Sequence, residues 1–208
     1  RYGQSRASGW RAPARMDAVT PASPSSRRIV FLDVDGTIME HGKRVAVSTV
    51  EAIRAARAAG HLVFLSTGRS EAHLPTVVTD IGFDGAVTNS GADARIGERV
   101  VLARTLPLAL TERMLEVFEG LGIGYLLQTN DGVFSEDRMT GMLAEFRRAL
   151  DRQASGPEDL MSGLARETFP DVAEAELDAV TKAVFMSERP DALELIRDRL
   201  GAEFHVVP

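Results

Sequence analysis

The chain has 208 residues, 44% of them hydrophobic and 26% charged, with a net charge of −6 and no cysteine. That is the composition of an ordinary soluble globular protein; it excludes a disulfide framework and thiolate chemistry, and the charge argues against nucleic acid as the main partner, since binding its backbone needs concentrated Lys and Arg. No apolar stretch reaches the roughly 18 residues of a bilayer span, the N-terminal stretch has no apolar h-region, and four scattered histidines make no metal-ligand spacing. A cytoplasmic protein without nucleic-acid or membrane partners is expected.

The opening stretch to about Ser26 is rich in Ser, Pro, Ala, Gly and Arg without a hydrophobic period. Residues 1–27 are therefore expected to be disordered, with Met16 as a candidate natural start and Trp10 without a structural role. Ile29-Val30-Phe31-Leu32 reads as a buried parallel-sheet strand. Asp33-Val34-Asp35-Gly36-Thr37 leaves its carboxyl end in a tight turn, the place where open α/β sheets bind ligands. Ser48-Thr49-Val50-Glu51 has capping-box spacing, so a helix is predicted from there through Ile53, Ala55, Ala56 and Ala59 to a stop at Gly60. Leu62 to Leu65 is a second buried strand, ending in Ser66-Thr67-Gly68-Arg69, and strand, helix, strand spells a right-handed parallel unit. A helix over Glu71 to about Ile81, with Pro75 in its first turns, leads through Asp84-Gly85 to a short strand, Ala86 to Thr88, and then to Asn89-Ser90-Gly91-Ala92.

From about Pro107 the texture changes. A helix is predicted over Thr111 to Glu119 and a strand over Ile123 to Gln128, with Asn130-Asp131-Gly132 closing a hairpin into Val133-Phe134. A helix from about Glu136 to Leu150 precedes a polar stretch containing Gly156-Pro157. The alternation of Val180, Lys182, Val184 and Met186 predicts a strand, Pro190 opens a helix that ends before Gly201, and Phe204 to Val207 is predicted as a last strand. Helices mixed with antiparallel strands make this an α+β unit distinct from the parallel half.

The two acids of the first turn suit phosphoryl transfer, because an aspartate can accept the phosphoryl group and split one hard step into two. Asp33 is the nucleophile on that reading. Asp35 can protonate the leaving oxygen and then deprotonate water, a role worth about 10²–10⁴ in rate. Backbone N–H groups of Val34 and Gly68, with the Thr67 hydroxyl, can bond the phosphoryl oxygens, one such donor being worth roughly 3 kcal/mol. Magnesium is the expected ion, since it takes few carboxylates, keeps waters and bridges substrate phosphate. A calcium loop is excluded, for no glutamate stands at the twelfth position from Asp33 or Asp35. Arg69, Asn89 and Lys182 are weaker substrate candidates. Each has a plainer role: a structural ion pair for Arg69, a turn for Asn89, and for Lys182 an edge lysine whose stem covers apolar surface. His41, His61, His73 and His205 read as surface or capping residues.

This arrangement resembles the haloacid dehalogenase (HAD) superfamily, and more closely its Cof-like subclass IIB. Asp33-Val34-Asp35-Gly36-Thr37 is similar to the family's first motif, Thr67-Gly68-Arg69 to its second, and Thr88-Asn89-Ser90-Gly91-Ala92 to the Asn-Gly-Ala segment before the cap. The resemblance covers about Arg28 to Pro208. It implies an α/β fold: a Rossmann-like parallel core over 28–106 and an α+β cap over 107–208 that closes on the substrate and selects it. It also implies Mg²⁺-dependent hydrolysis of a small phosphorylated metabolite, such as a sugar phosphate, through an aspartyl-phosphate. Asp33 would be nucleophile and metal ligand, Asp35 acid/base and metal ligand through its carbonyl, and Thr67 a phosphate ligand.

The family's third motif, a Lys, and its fourth, an acidic segment completing the metal site, follow the cap, and neither occurs before Pro208. The expectation is therefore an incomplete core, truncated after the cap, with an exposed strand edge at Ile29 to Leu32 and no activity in these residues alone. A phosphomutase of the same superfamily and a non-catalytic binding module fit the same motifs and stay open.

Overall fold

A computed structural model describes residues 27–40, 44–152 and 167–207. The expectations for residues 1–26, for His41 and for Gly156-Pro157 lie outside them. The described residues divide between two compact units, one up to Arg104 and one from Thr105.

The first unit holds β1 (Ile29–Leu32), β2 (Met39–Glu40), β3 (Arg44–Val45), α1 (Val47–Ala58), β4 (Leu62–Ser66), α2 (Thr76–Thr79), β5 (Gly85–Thr88), β6 (Asp93–Ile96) and β7 (Arg99–Ala103). Its five-stranded sheet runs in the order β1-β4-β5-β6-β7. The first three strands are parallel and the last two antiparallel. Two crossovers, through α1 and then through the segment containing α2, step the same way along the sheet. Right-handed crossovers of that kind put both helical segments on one face. That face is the core: Val30, Leu32, Val63, Leu65 and Ala86 pack against Ile53, Leu74, Val78, Ile81 and Phe83.

The opposite face differs from the expected buried strand. Ile29 is 61% and Phe31 57% exposed. The ladders align Phe31, Phe64, Gly85 and Ile96 in one row across four strands. Within that row the Phe31 and Phe64 rings lie 5.4 Å apart. A Cβ on Gly85 would meet the Phe64 ring and the Arg95 carbonyl, so this position holds glycine for close approach. β1 is the terminal strand of this sheet among the described residues.

Other expectations need correction. α1 starts at Val47 behind an extended Ala46 (φ −66°, ψ 140°) whose side chain makes no cap, so Ser48 lies inside the first turn and no capping box forms. The reason is upstream: β3 pairs with β2 and delivers the chain to the helix earlier than the Ser48 spacing suggests. The predicted helix at Glu71 to Ile81 is split into a 3₁₀ turn, Glu71–His73, and α2. Pro75 is responsible, since it holds Leu74 extended (φ −74°, ψ 124°). The hairpin β6–β7 was not predicted at all.

The second unit contains α3 (Leu108–Leu121), β8 (Gly124–Gln128), β9 (Val133–Ser135), α4 (Asp137–Arg152), β10 (Lys182–Met186) and α5 (Ala192–Leu200). Its antiparallel sheet has the order β10-β8-β9. Phe118 of α3 and Ile196 of α5 cluster with Tyr125, Leu127 and Phe185, while Met139 and Leu143 of α4 cluster with Leu126, Val184 and Met186. Alternate residues of β8 and β10 thus serve two cores, as a period of two requires. Gly122, in the left-handed region (φ 66°), ends α3, and Glu136 caps α4 by accepting from the Arg138 and Met139 N–H groups. α5 begins at Ala192 behind Asp191 and not at Pro190. Phe204 to Val207 form no strand; the Val206 carbonyl accepts from Arg197 Nε and Nη2, each at 3.2 Å. Among the described residues no helix is long and apolar enough to cross a membrane.

One-sided burial gives a stability contrast across β1 and β4. Leu65→Ala, at a fully buried position, is expected to cost about 2–5 kcal/mol, and Phe31→Ala no more than about 1 kcal/mol, in urea unfolding of the chain.

Candidate functional site

Strand register builds the site. Leu32 lies opposite Leu65 in the parallel ladder, so β1 and β4 reach their carboxyl ends together. Val34 anchors the turn beyond β1: its side chain is fully buried. Its carbonyl accepts from the N–H groups of Thr37, Ile38 and Met39 at 3.4, 3.1 and 2.9 Å. Gly36 takes the left-handed conformation (φ 78°) that this turn needs. Anchoring Val34 inward leaves Asp33 exposed and turns Asp35 toward the loop after β4.

Asp35 is held there by a fork. Arg69 Nε donates to its Oδ2 at 2.8 Å and Nη2 to its Oδ1 at 2.9 Å, while Nη1 donates to the His73 carbonyl at 3.2 Å. The two side chains are 31% and 19% exposed, so solvent screens the pair only in part. Of the two roles the sequence leaves open for Arg69, substrate contact and a structural pair, the structure shows a pair, and its partner is Asp35. The usable signal is the motif itself, an acid and a base just beyond the ends of two strands expected to be parallel neighbours.

Thr67 is 5% exposed. Its N–H donates to the Val87 carbonyl at 2.9 Å, its Oγ1 accepts from the Arg69 N–H at 3.2 Å, and its carbonyl accepts from the Ser90 N–H at 3.2 Å. The Arg69 carbonyl in turn accepts from the Asn89 N–H at 2.8 Å. Asn89 and Ser90 stand at φ 51° and 56°, a conformation that favours glycine, so the loop after β5 is bent tightly to reach the loop after β4. Asn89 is buried, Gly68 exposed.

The structure therefore gathers Asp33, Val34, Asp35, Thr67, Gly68, Arg69 and Asn89 at one end of the first sheet. Lys182 belongs to the second unit, on its edge strand β10 opposite Gln128, where burial pushes its ammonium pKa down. Sequence reasoning also missed an ion pair behind the site, Arg95 Nη2 to Glu71 Oε2 at 2.7 Å, with both side chains mostly buried.

Among the described residues no group of three or more His, Asp or Glu side chains could hold a metal ion. Of the two acids Asp33 is the exposed one, while both Asp35 side-chain oxygens accept from Arg69. Asp33 and the Asp35 carbonyl would supply a partial ligand set for magnesium, an ion that takes one or two carboxylates and fills its remaining positions with water and substrate phosphate.

A sequence profile of haloacid dehalogenase-like hydrolases matches residues 30–206, and the chain belongs to that family. YkrA of Bacillus subtilis (strain 168), named as a candidate phosphatase, is 27% identical over 89 residues, 43% of this chain and 35% of its own length. The matched stretch is thus about a third of that relative. Among solved structures, a Geobacillus kaustophilus HTA426 protein of unassigned function superposes with a TM-score of 0.66 at 19% identity, over 87% of this chain and 67% of its own. The HAD subclass IIB sugar phosphatase BT4131 superposes with a TM-score of 0.62 at 21% identity, over 84% of this chain and 64% of its own. At these identities the likeness is one of fold: a mixed α/β sheet with a parallel first half, followed by a separate antiparallel sheet with helices.

Two measurements follow. A double-mutant cycle of Asp35→Ala and Arg69→Ala should return a coupling of about 1 kcal/mol in chemical denaturation, reduced by high salt. For Lys182 the folded state disfavours the charged form, so the unfolded state binds more protons between the lowered folded pKa and the ordinary one, and stability rises with pH through that window. Lys182→Met should raise the urea midpoint at pH 7, and the gain should shrink toward pH 10.

Proposed function

We propose that the chain carries the nucleophile and acid/base of a phosphatase acting on a small phosphorylated metabolite of the sugar-phosphate kind. The observation that carries this reading is the meeting of an exposed aspartate, a fixed aspartate and a buried threonine at the ends of adjacent parallel strands. Asp33 attacks phosphorus and forms the aspartyl-phosphate. Asp35 enters the cycle protonated and gives that proton to the leaving oxygen; the carboxylate so formed takes a proton from the water that attacks the acyl phosphate, which releases phosphate and restores both Asp33 and the protonated Asp35.

Thr67 supports this through its hydroxyl. Its oxygen already accepts from the Arg69 N–H, so its own proton can go to a phosphoryl oxygen. The N–H groups of Val34 and Gly68 are the other donors of this reading. The Arg69 fork keeps the Asp35 carboxyl in one orientation while leaving each oxygen a further position, which can carry the proton given to the leaving group and afterwards accept one from water. The second unit is the cap that selects substrate, with Lys182 as a candidate contact. The subclass IIB sugar phosphatase that shares the fold supports the substrate class. Magnesium remains the ion implied by family resemblance, with Asp33 as one of its ligands; the steps above are carried by the chain's own residues. Charge balance limits the rate of these 208 residues alone: among the described residues Arg69 is the one cation in contact with either acid, and turnover by this chain is expected to be slow or absent.

A single-turnover experiment tests the chemistry without needing turnover. With acetyl phosphate as donor and magnesium present, mass spectrometry should find one phosphoryl group on the peptide containing Asp33. Asp33→Asn should reduce labelling to background. Asp35→Asn should keep labelling and slow its loss by about 100-fold. Failure of the wild-type chain to take a phosphoryl group on Asp33, or equal labelling of Asp33→Asn, would overturn the proposal.

A further inference from the structure

We infer that Arg95, on β6, is a positioning residue for Asp35, acting through Glu71 and Arg69; the inference rests on reading Asp35 as the group that protonates the leaving oxygen. Arg95 Nη2 lies 2.7 Å from Glu71 Oε2, with the side chains 14% and 16% exposed. Glu71 opens the 3₁₀ turn that ends at His73. The His73 N–H donates to the Ser70 carbonyl and the Leu74 N–H to the Glu71 carbonyl, both at 3.1 Å. Ser70 Oγ and His73 Nδ1 are 3.2 Å apart, and Ser70 is fully buried. The carbonyl of His73, at the end of this turn, is the acceptor for Arg69 Nη1.

A guanidinium is planar and rigid, so its orientation is fixed as a whole. Nη1 on the His73 carbonyl therefore sets the plane in which Nε and Nη2 meet Asp35, and hence the direction of the carboxylate oxygens. A turn of three residues is too short to hold itself in place. Leu74 anchors its far end in the core. Its near end is anchored by the ion pair to Arg95. Removing that guanidinium would take from the mostly buried Glu71 carboxylate the counter-charge that this side-chain contact with β6 supplies, and the carboxylate would shift toward water, taking the turn and the His73 carbonyl with it.

The prediction separates positioning from general destabilisation because donors differ in their need for a proton. Acetyl phosphate expels acetate, a good leaving group that needs little help from Asp35, whereas a hexose 6-phosphate expels an alkoxide that needs the proton. In the full chain, Arg95→Met should label Asp33 from acetyl phosphate at a rate within about threefold of wild type, and from hexose 6-phosphate at least about tenfold more slowly. Arg95→Lys should recover most of that loss. Arg99→Met, at an exposed position on β7, should change neither rate. Independently of any chemistry, Arg95→Met should shift the side-chain carboxyl ¹³C resonance of Asp35 and the Nε–H resonance of Arg69, and Arg99→Met should shift neither. Glu71→Gln, which keeps shape and removes charge, should shift the same two resonances and carries the test if Arg95→Met does not fold. Unmoved Asp35 and Arg69 resonances, or equal slowing with both donors, would overturn the inference. If no donor labels wild-type Asp33, the phosphatase reading fails and the resonances alone decide whether Arg95 sets Asp35.

Discussion

A parallel ladder gives neighbouring strands a common carboxyl end, and the candidate site depends on that one constraint. Because Leu32 stands opposite Leu65, the turn after β1 and the loop after β4 leave the sheet at the same level. Asp33 and Thr67 then stand at the same end of adjacent strands although 33 intervening residues separate them along the chain. A slip of one residue in this register would turn Val30 and Leu32 outward and Ile29 and Phe31 inward, so the core that fixes the strands also fixes the site. The fully buried Val34 carries the same constraint into the turn.

Two aspartates two residues apart acquire different environments because the turn faces them differently. Asp33 meets solvent; Asp35 meets a guanidinium whose three nitrogens are each engaged. The rigidity of that contact comes from behind the loop, where the 3₁₀ turn is pinned between the hydrophobic core at Leu74 and the ion pair at Glu71. The same sheet leaves its other face apolar and open at Ile29, Phe31 and Ile96. Parallel sheets ordinarily have both faces covered. The solved relatives share the fold over about two thirds of their own length, so a further part of each lies outside what this chain matches.

Elements with an uninterrupted local pattern were legible in the sequence. The apolar runs at β1 and β4, the Gly60 stop after α1 and the Asn130-Asp131-Gly132 turn between β8 and β9 all follow from residue type and spacing over a few positions. Elements whose boundaries depend on a partner were not. The start of α1 is set by the β2–β3 pairing, and the 71–81 segment breaks where Pro75 constrains Leu74. The β6–β7 hairpin was hidden because β6 is only four residues long and its alternation is inverted, with Asp93 buried and Ile96 exposed, and its turn rests on Gly97 in the left-handed region (φ 55°). Phe204 and Val206 pack against the second core without joining a ladder, so an apolar period alone misread them as a strand.

Residue type and adjacency named the reactive groups: a carboxylate able to attack, a second one two residues on, and a hydroxyl followed by glycine and arginine at the next strand end. Such chemistry is local, and a linear sequence contains it. Which partner each group meets is not local. Arg69 and Asp35 are 34 residues apart, and their pairing depends on how two strands align and how one proline-bounded turn sits against the sheet. Lys182 looked like one of several residues on a strand face, and its perturbed charge comes from burial within its own sheet and core. Strand register, crossover hand and desolvation are properties of the packed chain as a whole, so folding set the partners of residues that the sequence had already identified.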